Sequence, residues 1–579
     1  MNELLLFAEA AVMLRRIGSR GESLQYRRLV LGAALALAVF AGGASGASAA
    51  TKRVVGYFPS WAIYNVQHPV RITDLPPGKL TVLNYAFANV LDDGSGGNPN
   101  TGNPLKACPT IGLQPATTGL SVCPAISLLD PWADVDTWFA TGGGQGGHNY
   151  STCPPQTNTV CGNFADIKTF EAQNPSTKVM LSIGGWTLSD IFTEAASTAF
   201  SRQAFANSIS AFLNGPGSMF DGVDIDWEYP VSGNPLNCCA SPQDTQNYTA
   251  LLQTIKQTLT ANNPGDNLLS IAAPAGASTL ANLNLSAVAQ TVDWINLMAY
   301  DFNGPFPPYA GSLTNFNAPL HYDPAGPASQ SKEVADAAVQ SYLNAGVPAS
   351  KLNLGLAFYG RGYTGVTNAN NGLYQPFTGP GQGSGAAEPQ AGLYPYWSLE
   401  QSYINQHGYN VFRDAAAGSV PYLFNPNAPA PESGAVMISY DDPASLAAKV
   451  QYASQIGLGG AMIWDLSQDD SSNSMLNAVA SAVNPALSRI GARVRRKKPP
   501  PNHQQACGEP GDVPLYASGT SCATALRVYR AYTRTGRVSG WQCSSGGQIC
   551  WQHTGPTKAG KTSYVSWWNR MLARPGPQR

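Results

Sequence analysis

Eight short apolar runs, each ending in polar residues or glycine, punctuate the middle of the chain. They are Val54–Pro59, Thr81–Asn89, Lys178–Gly184, Phe220–Glu228, Leu268–Pro274, Val292–Tyr300, Lys351–Tyr359 and Gly460–Leu466. Runs of this length, bounded by turn formers, read as strands. Segments of helical period lie between several of them. Tyr248, Leu251, Leu252, Ile255 and Leu259 share one helical face, and Ser241-Pro242 predicts where that helix starts, with Ser as N-cap and Pro as the first helical residue. A second helix is predicted from near Ser331, with Val334, Ala338, Tyr342 and Leu343 apolar and Gly346 as its stop. A third is predicted from Pro443 to Gly457. Strands alternating with helices imply a parallel sheet. Eight such units over about 420 residues predict an α/β chain folded as a (β/α)8 barrel with insertions, whose active residues gather at the C-terminal strand ends.

The fourth run carries the chemistry. In Asp221-Gly222-Val223-Asp224-Ile225-Asp226-Trp227-Glu228-Tyr229-Pro230 the acids Asp224, Asp226 and Glu228 alternate with apolar residues. Side chains of a strand alternate faces, so the three carboxyl groups form one column, rising roughly 6.6 Å per pair of residues. Pro230 cannot continue a central strand, which puts Glu228 at the strand's C-terminal end. A solvated acidic face on a surface strand is the alternative. Val223, Ile225 and Trp227 make the other face apolar, so both faces read as buried. Buried acids need partners or raised pKa values. The residues alone point to acid/base work on a sugar or a phosphate.

Two insertions interrupt the pattern. Leu91 to about Asn163 is rich in Gly, Pro, Asn and Thr and holds four cysteines; about 363–437 is rich in aromatic residues, and its alternative reading is a decorative loop. Beyond Asn484 a basic, proline-rich stretch, residues 485–505, reads as an exposed linker rather than a nucleic-acid patch. Residues 506–579 hold four cysteines, nine Lys/Arg against two acids, a predicted helix capped by Ser521, and Trp541, Trp551, Trp567 and Trp568. Those tryptophans fit sugar stacking or the core of a small disulfide-linked module equally well.

Charged residues are only 12% of the chain and the net charge is -1, which gives no pull toward nucleic acid or anionic membrane. The ten cysteines form no Cys-x-x-Cys pair and the six histidines are scattered, so no metal site or cofactor is expected. Disulfides in an oxidising compartment fit better. At the N-terminus Arg27-Arg28, the apolar run Leu29–Ala41 and Ala47-Ser48-Ala49 read as a secretory signal within residues 1–50, because the run is too short to span a bilayer. The expected product is a secreted monomer with no stable membrane anchor and a catalytic domain over residues 51–484.

The fourth run resembles the Asp-x-x-Asp-x-Asp-x-Glu signature of the family-18 chitinases and matches it at every fixed position. Ser182-Ile183-Gly184-Gly185, Met298-Ala299-Tyr300-Asp301 and Gly355 to Arg361 match further motifs of that family, and the insertion resembles the α+β insertion of its bacterial members with deep clefts. The resemblance implies chitin and chitin oligosaccharides as substrate, and a retaining, substrate-assisted mechanism. It implies Glu228 as general acid/base, with Asp226, Asp224 and Tyr300 completing the catalytic set. Ser182 would hydrogen-bond Asp224. Asp301 and Arg361 would contact sugar, Trp464 would floor the central subsite, and Tyr57 would lie near the acids. Trp186 and Met298 would also line the groove, and Trp61 and Trp227 would flank it. It also implies cis peptides at Ala86-Phe87, Glu228-Tyr229 and Trp464-Asp465. Other functions on this barrel are a chitin-binding lectin, whose members lose the acid retained here as Glu228, and an endo-N-acetylglucosaminidase acting on glycoprotein glycans. An adhesion protein acting through its tail leaves the acid column unexplained.

Overall fold

The computed structural model describes residues 52–65, 67–91, 124–139, 150–152, 161–233, 240–384, 390–432 and 434–484, together with the backbone of five strands between 505 and 567. The chain divides into two compact units, Met1–Asn484 and Pro485–Arg579.

Each of the eight apolar runs overlaps a strand of one parallel barrel: β1 (Arg53–Pro59), β2 (Val82–Leu91), β3 (Lys178–Gly184), β4 (Gly222–Asp226), β5 (Leu268–Pro274), β6 (Trp294–Met298), β7 (Leu352–Ala357) and β8 (Gly460–Trp464). Each pairs with its sequence neighbour, and β1 pairs with both β2 and β8, so the sheet closes and leaves no barrel edge. Strand alternation divides the apolar residues into two cores. Val54, Leu83, Leu181, Val223, Ile225, Leu269, Ile295, Leu354 and Ile463 belong to the large core that includes the helices. Val55, Tyr57, Val82, Ala86, Met180, Ala272, Trp294, Met298 and Met462 meet one another across the barrel interior.

The helices arrive close to their expected positions. The first predicted one spans Asp244–Asn262 and starts later than Ser241-Pro242 suggests. Asp244 explains the delay: its Oδ2 accepts from the backbone N–H groups of Ser241 at 2.9 Å and Val231 at 3.2 Å, holding those residues in the loop. The second spans Ala335–Asn344. The third spans Pro443–Gln455, capped by Asp442, whose side chain accepts from Ala444 and Ser445.

The insertion after β7 is antiparallel, and it begins at Tyr359 rather than near 363. Tyr359–Thr364 pairs with Gly434–Ser439, which pairs with Val420–Ala428, which pairs with Asn410–Asp414. A helix, Tyr396–Ser402, accompanies the sheet. After β2, Ala125–Leu128 adds antiparallel to that strand's end. Cys161 precedes the helix Gly162–Gln173 and is disulfide-bonded. The side chains of the other cysteines, and the helix predicted at Ser521, lie outside the described residues. In the second unit the backbone forms a five-stranded antiparallel sheet with Lys561–Trp567 at its centre, between Leu515–Ser518 and Ile549–Thr554.

Candidate active site

Inward-facing polar residues collect at β4. Asp224 is fully buried, yet its carboxylate accepts four hydrogen bonds. Oδ2 takes them from Tyr57 Oη at 2.7 Å and Ser182 Oγ at 2.9 Å; Oδ1 takes them from Ser270 Oγ at 2.6 Å and Asn296 Nδ2 at 3.3 Å. Burial raises its pKa and these donors oppose the rise, so a carboxylate here is held in place by neighbours from four strands.

Asp226 lies one residue pair further along the same face and is also buried. Its Oδ1 has no hydrogen-bond partner among the described residues. Burial, then the charges of Glu228 and Asp224, push its pKa well above the usual carboxylate range. Two adjacent acids in one desolvated column oppose each other's ionisation.

Glu228 stands just past the end of β4 and is half-buried. Burial and the nearby Asp301 carboxylate raise its pKa, the hydrogen bond from Tyr229 lowers it, and the balance leaves it at about 7. Its backbone N–H donates to Ser189 Oγ at 2.9 Å, and Ser189 in turn donates to Gly185 O at 2.9 Å. The glycine pair is required by this close approach: a Cβ on Gly184, whose φ is 110°, would lie 2.2 Å from the carbonyl oxygen of Asp226. The peptides Ala86-Phe87, Glu228-Tyr229 and Trp464-Asp465 are cis.

Around the column sit aromatic walls. Trp464, at the end of β8, stacks on Phe87 at 5.6 Å and meets Tyr57 edge-on at 5.6 Å. Trp61 is 40% exposed and tilts over Phe87 at 6.0 Å. Trp186 is 50% exposed and meets Tyr229 edge-on at 6.4 Å. Tyr300 follows β6, its hydroxyl 3.8 Å from Met462 Sδ; burial raises its pKa well above the ordinary value, and Tyr359, then Asp226 and Glu228, add to the rise. Met298, buried at the end of β6, belongs to the same interior cluster.

Two expected sugar contacts are placed differently. Trp227 is 1% exposed, stacks on Phe192 at 5.4 Å and meets Tyr248 edge-on at 5.3 Å. It stands between Asp226 and Glu228, so strand alternation sends it to the outer core, away from the acids and from any groove. Arg361 is buried and held bidentately by Asp301, Nε to Oδ1 at 2.7 Å and Nη2 to Oδ2 at 2.8 Å. Its guanidinium also lies over the Tyr359 ring at 5.1 Å, so it serves to fix Asp301. Asp301 itself has a left-handed φ of 54° and remains open to solvent.

The sequence does not single out Ser189, Ser270 and Asn296, and it marks Phe87 and Tyr229 only as members of expected cis peptides. Ser270 and Asn296 did leave a trace, as lone polar residues inside otherwise apolar strand runs.

Stacked carboxyl groups at the C-terminal end of a closed parallel barrel, under exposed aromatic rings, define a glycoside hydrolase. Residues 53–469 match the family "Glycosyl hydrolases family 18", and the chain belongs to that family. It is similar to Chitinase A1 of Niallia circulans, 37% identical over 522 residues that cover 89% of this chain and 68% of that protein. It is also similar to Chitinase 1 of Aphanocladium album, 32% identical over 71% of this chain and 80% of that one. Among solved structures, Chitinase ChiA74 from Bacillus thuringiensis aligns with a TM-score of 0.64 and 33% identity, covering 81% of this chain and 75% of that chain. Among the described residues no helix is long and apolar enough to cross a membrane.

Proposed function

We propose that this enzyme is a secreted chitinase that hydrolyses β-1,4 linkages between N-acetylglucosamine units with retention at C1. The reading is carried by Asp226, a buried acid with an unpartnered Oδ1, set between an Asp224 already committed to four donors and a Glu228 poised near neutrality. Membership of the family implies that the substrate's own 2-acetamido oxygen, rather than a carboxylate, attacks C1. Glu228 gives its proton to the glycosidic oxygen as the C1–O bond breaks. Asp226 orients the amide and stabilises the resulting oxazolinium ion, while Tyr300 fixes the acetamido group. Glu228 then takes a proton from water as its oxygen attacks C1, which closes the cycle.

The pH dependence follows from the sign of the shift on Glu228. Its acid form is present below its pKa and is lost as pH rises through about 7. On soluble chitin oligosaccharides kcat/KM should therefore fall above about pH 7, roughly tenfold per unit. A profile flat to pH 9 contradicts the assignment.

The substrate class is tested by product analysis on chitin oligosaccharides and on a high-mannose glycopeptide. Cleavage of the oligosaccharides with the glycopeptide left intact is expected. The reverse preference would make the enzyme an endo-N-acetylglucosaminidase.

A further inference from the structure

A second polar chain enters the barrel from the opposite end. Arg53, at the start of β1, donates from Nε to Asn353 Oδ1 at 3.0 Å. Asn353 donates from Nδ2 to Asn296 Oδ1 at 2.9 Å. Asn296 donates from Nδ2 to both Asp224 Oδ1 and Tyr57 Oη, each at 3.3 Å. Every link runs in the same direction, donor toward the acid column. An Asn amide has one donor end and one acceptor end, so the partner at one end decides which atom faces the other. The Asp224 carboxylate only accepts and so takes the N–H of Asn296, and the Asn353 N–H on the other end of that amide holds it in the same sense, as Arg53 does for Asn353.

The chain is built for this path. Asn296, Asn353 and Gly460 are register neighbours on β6, β7 and β8, and Gly460 pairs with Arg53 on β1. Glycine just before β8 leaves room for the guanidinium, since a Cβ on Gly459 would lie 2.1 Å from Arg53 Nη2, and glycine at the first residue of β8 leaves room for the backbone of β1, since one on Gly460 would lie 2.0 Å from Arg53 O. The guanidinium is held further by Ser350 O at 2.5 Å and lies 5.5 Å from the centre of the Trp294 ring. Burial lowers its pKa to about 10, with Asp293 opposing, so it stays charged at neutral pH.

We propose that Arg53 and Asn353 are positioning residues that act through Asn296, fixing the donor that holds Asp224 and carrying the field of a cation from the barrel floor to the acid column. The proposal rests on the reading of Asp224, Asp226 and Glu228 as the reacting column. Aligned dipoles in a desolvated interior act more strongly than they do in water. The titratable groups facing Asp224 are Tyr57 from β1, Asp226 on its own strand and Tyr248 from the helix Asp244–Asn262. Ser182, Ser270 and Asn296 from β3, β5 and β6 contribute hydrogen bonds alone.

The test is the acidic limb of the kcat/KM profile on a soluble chitin oligosaccharide, which reports protonation of the column's anion. Asn353→Asp keeps an acceptor for Arg53 but offers only an acceptor to Asn296, so the Asn296 amide turns over and Asp224 loses a donor. A buried anion that loses a donor binds its proton more tightly, so the acidic limb should move up by about one pH unit. The limb near pH 7 should stay, because Glu228 is untouched. Asn353→Leu removes the link without adding charge and should shift the limb the same way, with folding checked by thermal unfolding. Two folded variants with the wild-type acidic limb, or with activity lowered equally at every pH, overturn the relay. A shift in Asn353→Asp alone, beside a folded and unshifted Asn353→Leu, marks a bare charge effect and overturns it too. Glu228→Gln measured alongside separates the two levels: full activity there defeats the reading of the column itself.

Discussion

Glu228→Gln should lower kcat by roughly 10²–10⁴-fold while leaving the fold and oligosaccharide binding in place. The amide has nearly the shape of the acid but no proton to give to the glycosidic oxygen. Tyr229 can still donate to its carbonyl oxygen, and the backbone of residue 228 stays on Ser189 Oγ, so the local structure has no reason to move. The residual rate should also lose its limb near pH 7, because the titrating group has gone. Unchanged kcat in a correctly folded variant would refute the assignment of the acid.

Asp226→Asn should cost roughly 10²–10³-fold on substrates that carry the N-acetyl group, the usual worth of one preorganised electrostatic stabiliser. In the proposed mechanism the oxazolinium ion is cationic, and Asp226 is the group assigned to stabilise it. An amide there keeps the volume but removes the charge that can form as the proton shifts within the column. Burial makes the loss larger, since no solvent enters to compensate at a side chain this enclosed. Steady-state kinetics on acetylated oligomers would show it as a fall in kcat. A fall confined to KM would mean that Asp226 only helps to bind.

The barrel was legible because both faces of its strands are apolar in a parallel sheet, so each strand stands out as a run, and turn residues separate them. The acid column was legible for the complementary reason: acids at alternate positions in such a run demand a site. The same period-two rule places Trp227 on the outer face, where it packs against Phe192 and Tyr248. Its motif position suggested a sugar contact, and strand geometry decides otherwise. Arg361 stands out in its motif, but its partner Asp301 follows β6, 60 residues earlier in the chain. The carboxylate meets the guanidinium from a left-handed position in the backbone.

The residues that hold Asp224 show where sequence reading stops. Ser270, Asn296 and Asn353 each stand out as a polar residue within an apolar run. Which atom each one faces is fixed by barrel closure and register, which bring β4, β5, β6 and β7 side by side from points far apart in the chain. Ser189 left no trace at all, since a serine in a loop is ordinary and its role appears only once Glu228 N–H and Gly185 O meet it.

Neighbouring-group participation is the central claim, and the anomer of the first product tests it most directly. Proton NMR should follow early hydrolysis of an N-acetylglucosamine hexamer beside its fully deacetylated counterpart. The account predicts β-anomer from the acetylated oligomer, ahead of mutarotation, and no cleavage of the deacetylated one. Initial α-anomer, or efficient hydrolysis of the pure glucosamine oligomer, would contradict it.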